Sequence, residues 1–220
     1  ADYYDQWVAH EIPFSDPGMV EIFNKINDLW SIDGAVFASG GSIAGTAFGD
    51  NGQGLVDDDC LMHRQASFFS AFIPEGTTFG PDGVDVFYFP QADDTRPVLG
   101  AGILAGAFHN RAEVWAVMEY LGSPEYANAR QTAQKELKGG GDALSGFLSA
   151  VNGADASLYS PLEASMLEIL DSGEIVRFDA SDLMPSDVGA GSFWTEGTSF
   201  INGDIDAETA TANIDASWPS

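Results

Sequence analysis

The amino-acid sequence predicts an α/β fold, and three observations carry the prediction. Short apolar runs of strand character alternate with capped amphipathic helices. Gly and Pro punctuate the junctions between them. Of the 220 residues 45% are hydrophobic, with 15 Phe, 5 Trp and 6 Tyr, enough to bury one large core or two smaller ones. No internal repeat is present.

The first clear element is a helix opening at Asp16-Pro17-Gly18, with Met19, Ile22, Phe23, Ile26, Leu29 and Trp30 on one apolar face. Residues Val84 to Phe89 read as a buried strand that Pro90 ends. A second apolar segment runs from Val98 to Phe108, and its glycines at 100, 102 and 106 suggest close backbone approach or a flexing connection. Two helices follow, one with Val114, Val117, Met118 and Leu121 on its packing face, the other opening at Ser123-Pro124-Glu125. Gly139-Gly140-Gly141-Asp142 breaks the pattern, and Ser160-Pro161-Leu162-Glu163 then makes a capping box for a helix that Gly173 ends. A short strand from Ile175 to Phe178 leads into a loop, Asp179 to Pro185. One helix then starts near Ser186 or Asp187, and a last one spans about Ala207 to Ser217.

Charge narrows the function classes. Asp plus Glu number 34 against 8 Lys plus Arg, a formal net charge of -26. Such a surface repels phosphate backbones, so nucleic acid is not the expected partner, and a neutral ligand suits the charge better. The single cysteine, Cys60, excludes a disulfide within these residues and is expected to be a small core residue. No apolar stretch reaches the roughly 18 residues of a membrane span. The opening Ala-Asp-Tyr-Tyr-Asp-Gln-Trp has no initiator Met and reads as the middle of a longer chain.

Several motifs suggest chemistry and lack its other half. Ala38 to Thr46 resembles the Thr-Gly-Gly-Thr-Ile-Ala-Gly stretch of asparaginases, with Ser42 at the nucleophile's place. That family's second run, His-Gly-Thr-Asp-Thr, is missing, since His10, His63 and His109 precede Glu, Arg and Asn. The local expectation is a Gly-Gly turn into a helix capped by Ser42. A dinucleotide fingerprint would need glycine at Ser42, and Gly139 to Gly141 lacks the Gly-Lys-Ser/Thr of a phosphate loop, so no cofactor is expected. Asp204, Asp206 and Glu208 imitate the start of a calcium loop, but Thr209 replaces its turn glycine. Asp57 to Asp59 reads as a solvated turn, and three isolated histidines offer no zinc spacing, so no metal is expected. Asp179 and Asp182 would serve a glycosidase only across a sugar site. In their loop they can instead cap the chain, or accept hydrogen bonds from sugar hydroxyls without catalysis.

Three late runs are more specific together: Val176-Arg177-Phe178-Asp179-Ala180-Ser181-Asp182-Leu183-Met184-Pro185, Val188-Gly189-Ala190-Gly191-Ser192-Phe193-Trp194, and Ile214-Asp215-Ala216-Ser217-Trp218-Pro219. They resemble the C-terminal signature of carbohydrate ABC transporter solute-binding proteins, most of all the α-glucoside and oligosaccharide branch. Earlier pieces agree in the same order: His10 to Phe14, Cys60 to Phe68, Phe87 to Pro90 and Tyr120 to Pro124. Residues 128 to 160 do not match closely, and such proteins carry a front portion before this point.

The resemblance implies a periplasmic-binding-protein-like fold of two α/β lobes that close over a sugar. Residues 1–97 would be the first part of the C-terminal lobe, 98–138 a hinge crossing and a returning segment of the N-terminal lobe, and 139–220 the second part of the C-terminal lobe. It implies a monomeric, non-enzymatic receptor outside the cell or in the periplasm, surface-anchored in its full-length form. Its partners would be a carbohydrate and membrane permease subunits, and one lobe wall alone would bind sugar poorly. On the late helix Phe193 and Trp194 point about 100° apart, so one ring can enter the core while the other faces the cleft. Similarity to maltodextrin-type binders makes Trp194 the stacking residue. Asp179 and Asp182 would hold hydroxyls, and Gln65, Ser67 and Phe68 would line the other side of the C-terminal lobe, with Arg64 and His63 as weaker candidates.

Overall fold

The computed structural model describes residues 2–90, 94–173 and 175–219. They divide into two units, one built from residues 1–62 and 175–220, the other from 63–174.

In the first unit the two ends of the chain make one core. Helix α1 (Asp2–Val8) and helix α2 (Pro17–Trp30) come from the front. Strand β2 (Ile175–Phe178), the short helix α6 (Ala180–Leu183), a π-helical segment (Asp187–Ser192), α7 (Phe193–Ile201) and α8 (Ala207–Ala216) come from the back. Trp7, Phe14, Met19, Phe23, Met184, Val188, Phe200 and Ile214 are buried together. Burying a side chain of this kind contributes about 1.5–3 kcal/mol. Asp16 caps α2 by accepting the Gly18 N–H, with Pro17 in the first turn as expected. Only one edge of the α2 apolar face is covered, because Met19 and Phe23 are buried while Ile22, Ile26 and Leu29 stay exposed.

Residues 31–62 of this unit are turns and one short 3₁₀ segment, Gln53–Leu55. The helix expected after Ser42 does not form. Ser42 Oγ accepts the Gly45 N–H at 3.0 Å and closes a turn, because Gly40 and Gly45 approach too closely for a helical path: a Cβ on Gly40 would lie 2.1 Å from the Gly45 oxygen. Cys60 is half-buried against Gly54 and lies outside the core, its Sγ facing the Met62 carbonyl at 3.1 Å.

The second unit contains the 3₁₀ segment Ser67–Ala71, strand β1 (Pro97–Gly100), α3 (Ala112–Leu121), α4 (Pro124–Leu137) and α5 (Pro161–Ser172). The capping box at Ser160 and Glu163 forms. Gly173 ends α5 where expected, but for a different reason than a left-handed cap. Its φ is -66°, and a Cβ there would lie 2.7 Å from Val98 Cγ2, so the glycine admits a neighbour.

Strand content is smaller than the sequence suggests, at two four-residue segments among the described residues. Val84 to Phe89 forms no strand: its residues alternate between half-buried and exposed, yet only Val84 makes a bridge, to Phe79. A strand needs a partner for its backbone as well as the right residues. The apolar run after β1 is irregular, with Ile103 and Leu104 each 83% exposed and Phe108 94% exposed. Helix α3 buries none of its residues, and its Val114, Val117, Met118 and Leu121 line an open groove with Ala105 and Gly106.

Candidate functional site

The candidate residues fall into one group in each unit. In the first unit, β2 delivers Asp179 to the start of α6. Asp179 Oδ1 accepts the Ser181 N–H at 3.0 Å and its hydroxyl at 2.6 Å, so this carboxylate caps the helix. Its charge helps to raise the pKa of Tyr4, where burial is the larger cause, and the Tyr4 hydroxyl donates to the Phe178 carbonyl. Asp182 is exposed on α6.

Met184, Ala180 and Val188 anchor both sides of the following turn in the core. The N–H groups of Val188 and Gly189 both donate to the Pro185 carbonyl at 2.9 Å, and the Phe193 N–H reaches back to Val188 O across the π-helical turn. At the start of α7 the two adjacent rings part. Phe193 meets Trp7 at 6.3 Å and Phe14 at 5.1 Å between ring centroids, in edge-to-face geometry. Trp194 points outward and is 78% exposed.

In the second unit, Arg64 and Gln65 are exposed, and Gln65 Oε1 accepts the Ala66 N–H at 2.9 Å. Ser67 is half-buried and donates to Gly146 O at 3.4 Å, while Phe68 is about half exposed beside buried Phe69. His63 rests its ring on Phe69 at 4.8 Å; its Nε2 is buried with no hydrogen-bond partner among the described residues, and burial pulls its pKa down.

The segment has a support that sequence reasoning missed. Glu163, almost fully buried, accepts the Ser145 hydroxyl at 2.7 Å and the Gly146 N–H at 2.8 Å with the oxygen its cap does not use. Gly146 has φ +73°, and its Cα hydrogen faces Ser70 so closely that a Cβ would lie 2.7 Å from the Ser70 hydroxyl. The loop thus backs Ser67 to Ser70 directly. The capping-box spelling was the available signal, but not the second use of its carboxylate.

A further missed contact joins the ends of the chain. His10 Nε2 lies 2.8 Å from Asp215 Oδ1, and the His10 ring stacks on Trp218 at 4.1 Å. Among the described residues no group of three or more His, Cys, Asp or Glu is arranged to hold a metal ion. None of their helices is long and apolar enough to cross a membrane.

Compared with known proteins, the chain is 33% identical over 221 residues to the osmoprotective compounds-binding protein GgtB of Synechocystis sp., covering 98% of this chain and 49% of the relative. It is 34% identical over 229 residues to the alpha-glucosides-binding periplasmic protein AglE of Rhizobium meliloti, covering 100% of this chain and 47% of the relative. The chain is a homologue of solute-binding proteins. It spans about half the length of the curated relatives it matches. No family model matches it, and no solved structure matches it significantly.

Homology over the whole chain explains why colinear motifs were more informative than any single one. His10 and Phe14 from the first motif meet Asp215 and Trp218 from the last, and Phe193 packs between Trp7 and Phe14. These motif residues hold the unit together. Trp194 and Asp182 are among the signature residues that face solvent, with Val176, Leu183, Ala190, Ala216 and Pro219, and Trp194 is the one aromatic ring of that set.

Proposed function

We propose that this chain is part of the substrate-binding component of an ABC importer. It works outside the cytoplasmic membrane, in the periplasm or anchored at the cell surface in its full-length form, where it captures a carbohydrate and delivers it to membrane permease subunits. The ligand is an oligosaccharide or a small glucoside, held in a cleft of the full-length protein. The receptor acts as a monomer, has no cofactor and does not bind nucleic acid. Residues 98–138 return to the other lobe, between the portions 1–97 and 139–220 of the C-terminal lobe.

One observation carries this reading: Trp194 is exposed on the signature helix while its neighbour Phe193 is turned into the core. A flat indole in water suits the apolar face of a pyranose. Asp182 and Asp179 supply acceptors for its hydroxyls, and a charged acceptor makes the stronger hydrogen bond. Asp179 retains one carboxylate oxygen beyond the one that caps Ser181. Gln65, Ser67, Phe68 and Arg64 make further carbohydrate contacts from their own unit. The net charge of -26 favours a neutral ligand.

A hydrolase has less behind it. Ser42 spends its oxygen on a turn, accepting from Gly45, which is a structural use of the hydroxyl. Calorimetry of the full-length protein with maltotriose, trehalose and sucrose tests the proposal. Saturable binding with no product formed is expected; turnover that Ser42→Ala or Asp182→Asn abolishes would overturn it.

A further inference from the structure

We propose that Gly189 is a positioning residue that sets the spacing between the carboxylates of Asp179 and Asp182 and the stacking face of Trp194, and so tunes which carbohydrate the site accepts. The inference rests on the carbohydrate reading above and adds a residue that contacts no ligand itself.

Gly189 is buried in the π-helical segment, and its backbone lies against the carbonyl of Ser181. A Cβ at Gly189 would lie 1.9 Å from Ser181 O, 2.8 Å from Ser181 C and 3.2 Å from Ser181 Cα. All three atoms are backbone, so no side chain can rotate away; one element must retreat from the other. Ser181 stands between the two candidate carboxylates and is tied to the first, since Asp179 Oδ1 accepts both its N–H and its hydroxyl.

On the other side, Val188, fully buried, accepts the Phe193 N–H, which places Trp194 one residue beyond the π-helical bond. The path from carboxylate to indole therefore includes a backbone contact, Gly189 against Ser181, that only glycine permits. π-helical turns inside α-helices concentrate at functional sites, because the widened turn re-aims the residues after it. A pyranose engaged by its face and its hydroxyl edge at once demands a fixed offset between the two groups, to within about 0.5 Å. Gly197, on α7 with no atom within 4 Å of a built Cβ, offers a matched control.

The experiment uses the full-length protein and whichever of maltotriose, trehalose and sucrose the wild type binds most tightly, measured by calorimetry well below the melting temperatures. Gly189→Ala is expected to weaken that sugar by about tenfold or more, with Gly197→Ala within about twofold of wild type. The readout that a merely structural role would not move is a double-mutant cycle: Gly189→Ala should cost much less affinity in the Trp194→Ala background than in the wild type. An equal loss in both backgrounds, or unchanged affinity for Gly189→Ala, overturns the inference. If Gly189→Ala does not fold, Ser181→Gly loosens the facing backbone and is read by the same cycle, because it also removes a hydroxyl from Asp179: at least about threefold weaker binding is expected in the wild type with much less loss in the Trp194→Ala background, and unchanged affinity or an equal loss in both overturns the inference. Failure of the underlying reading looks different, with no sugar bound by the wild type at about 1 mM, or Trp194→Ala binding as well as wild type.

Discussion

His10 Nε2 lies 2.8 Å from Asp215 Oδ1 across 205 positions of sequence, and the same carboxylate accepts the Phe14 N–H at 2.9 Å and the Ser15 hydroxyl at 3.1 Å. Asp215 is thus the tie between the front of the chain and α8. His10 adopts φ +57°, an unusual left-handed conformation for a residue with a Cβ, which its stack on Trp218 helps to hold.

Removing this tie should be costly. Asp215→Ala removes the acceptor of three donors, and although the exposed Ser15 hydroxyl can turn to water, the N–H of fully buried Phe14 is stranded, so a loss of about 2–3 kcal/mol is expected. Chemical denaturation of the wild type and the mutant at pH 7 measures it. A change under about 0.5 kcal/mol would mean that water replaces the carboxylate without penalty.

The same residue predicts a pH dependence. Burial raises the Asp215 pKa, but hydrogen bonds from His10, Phe14 and Ser15 outweigh it and leave the carboxyl below its usual range. A carboxyl whose pKa is lowered by folding stabilises the fold above the unfolded value, about 3.9, and loses that contribution as pH falls through the folded value. Acid also relieves repulsion in a chain of net charge -26, which acts in the opposite direction. The difference between proteins is therefore the readout: the stability gap between wild type and Asp215→Asn should shrink as pH drops from about 5 to below about 3. A gap that is constant over that range would contradict the assignment.

How much of this was legible in the sequence depends on whether the cause was local. Caps at Asp16, Ser123 and Ser160 were readable because a side chain bonds to a backbone group two or three residues on. Phe193 and Trp194 were separable because helical neighbours diverge. The fate of Val84 to Phe89 was not readable, since a strand-like composition says nothing of whether another strand lies alongside. Ser42 was misread for the opposite reason: the capping residue was right, but the approach of Gly40 to Gly45 diverted the chain into a turn. The loop contacts of Glu163 and the tie at Asp215 were not readable because those partners lie 17 or more positions away, beyond any local pattern.

Glu163→Ala should destabilise the second unit more than an ordinary cap mutation, which costs about 0.5–2 kcal/mol. The carboxylate accepts from Ser160 at its cap and from Ser145 and Gly146 in the loop, and all but Gly146 of these groups are nearly fully buried. A loss of about 3 kcal/mol is expected from the stranded donors. Hydrogen exchange localises the effect: protection at residues 145–147 and at Ser67 to Ser70 should fall together. Loss confined to the first turn of α5 would show that the loop holds itself.

The paired aromatics give the sharpest division between stability and binding. Phe193 touches Trp7 and Phe14 edge to face, and such pairs contribute roughly 0.5–1.5 kcal/mol beyond area burial. Its truncation leaves a void beside fully buried Phe14, for which about 3 kcal/mol is expected, the low end for a core Phe because Phe193 is only partly buried. Trp194, exposed and outside the core cluster, should cost within about 0.5 kcal/mol of stability when truncated. Binding should reverse the order. A stacking indole lost to Trp194→Ala should weaken carbohydrate affinity about 10-fold or more, since aromatic anchors at recognition sites cost over 1 kcal/mol when removed. Phe193→Ala, assayed where it is still folded, should bind more nearly as wild type does. Thermal denaturation and calorimetry on both mutants of the full-length protein test the two halves independently. If Trp194→Ala lowers the melting temperature as much as Phe193→Ala, the exposed indole is a packing residue covered in the full-length protein. If it binds sugar as tightly as wild type, stacking on this helix is not how the ligand is held.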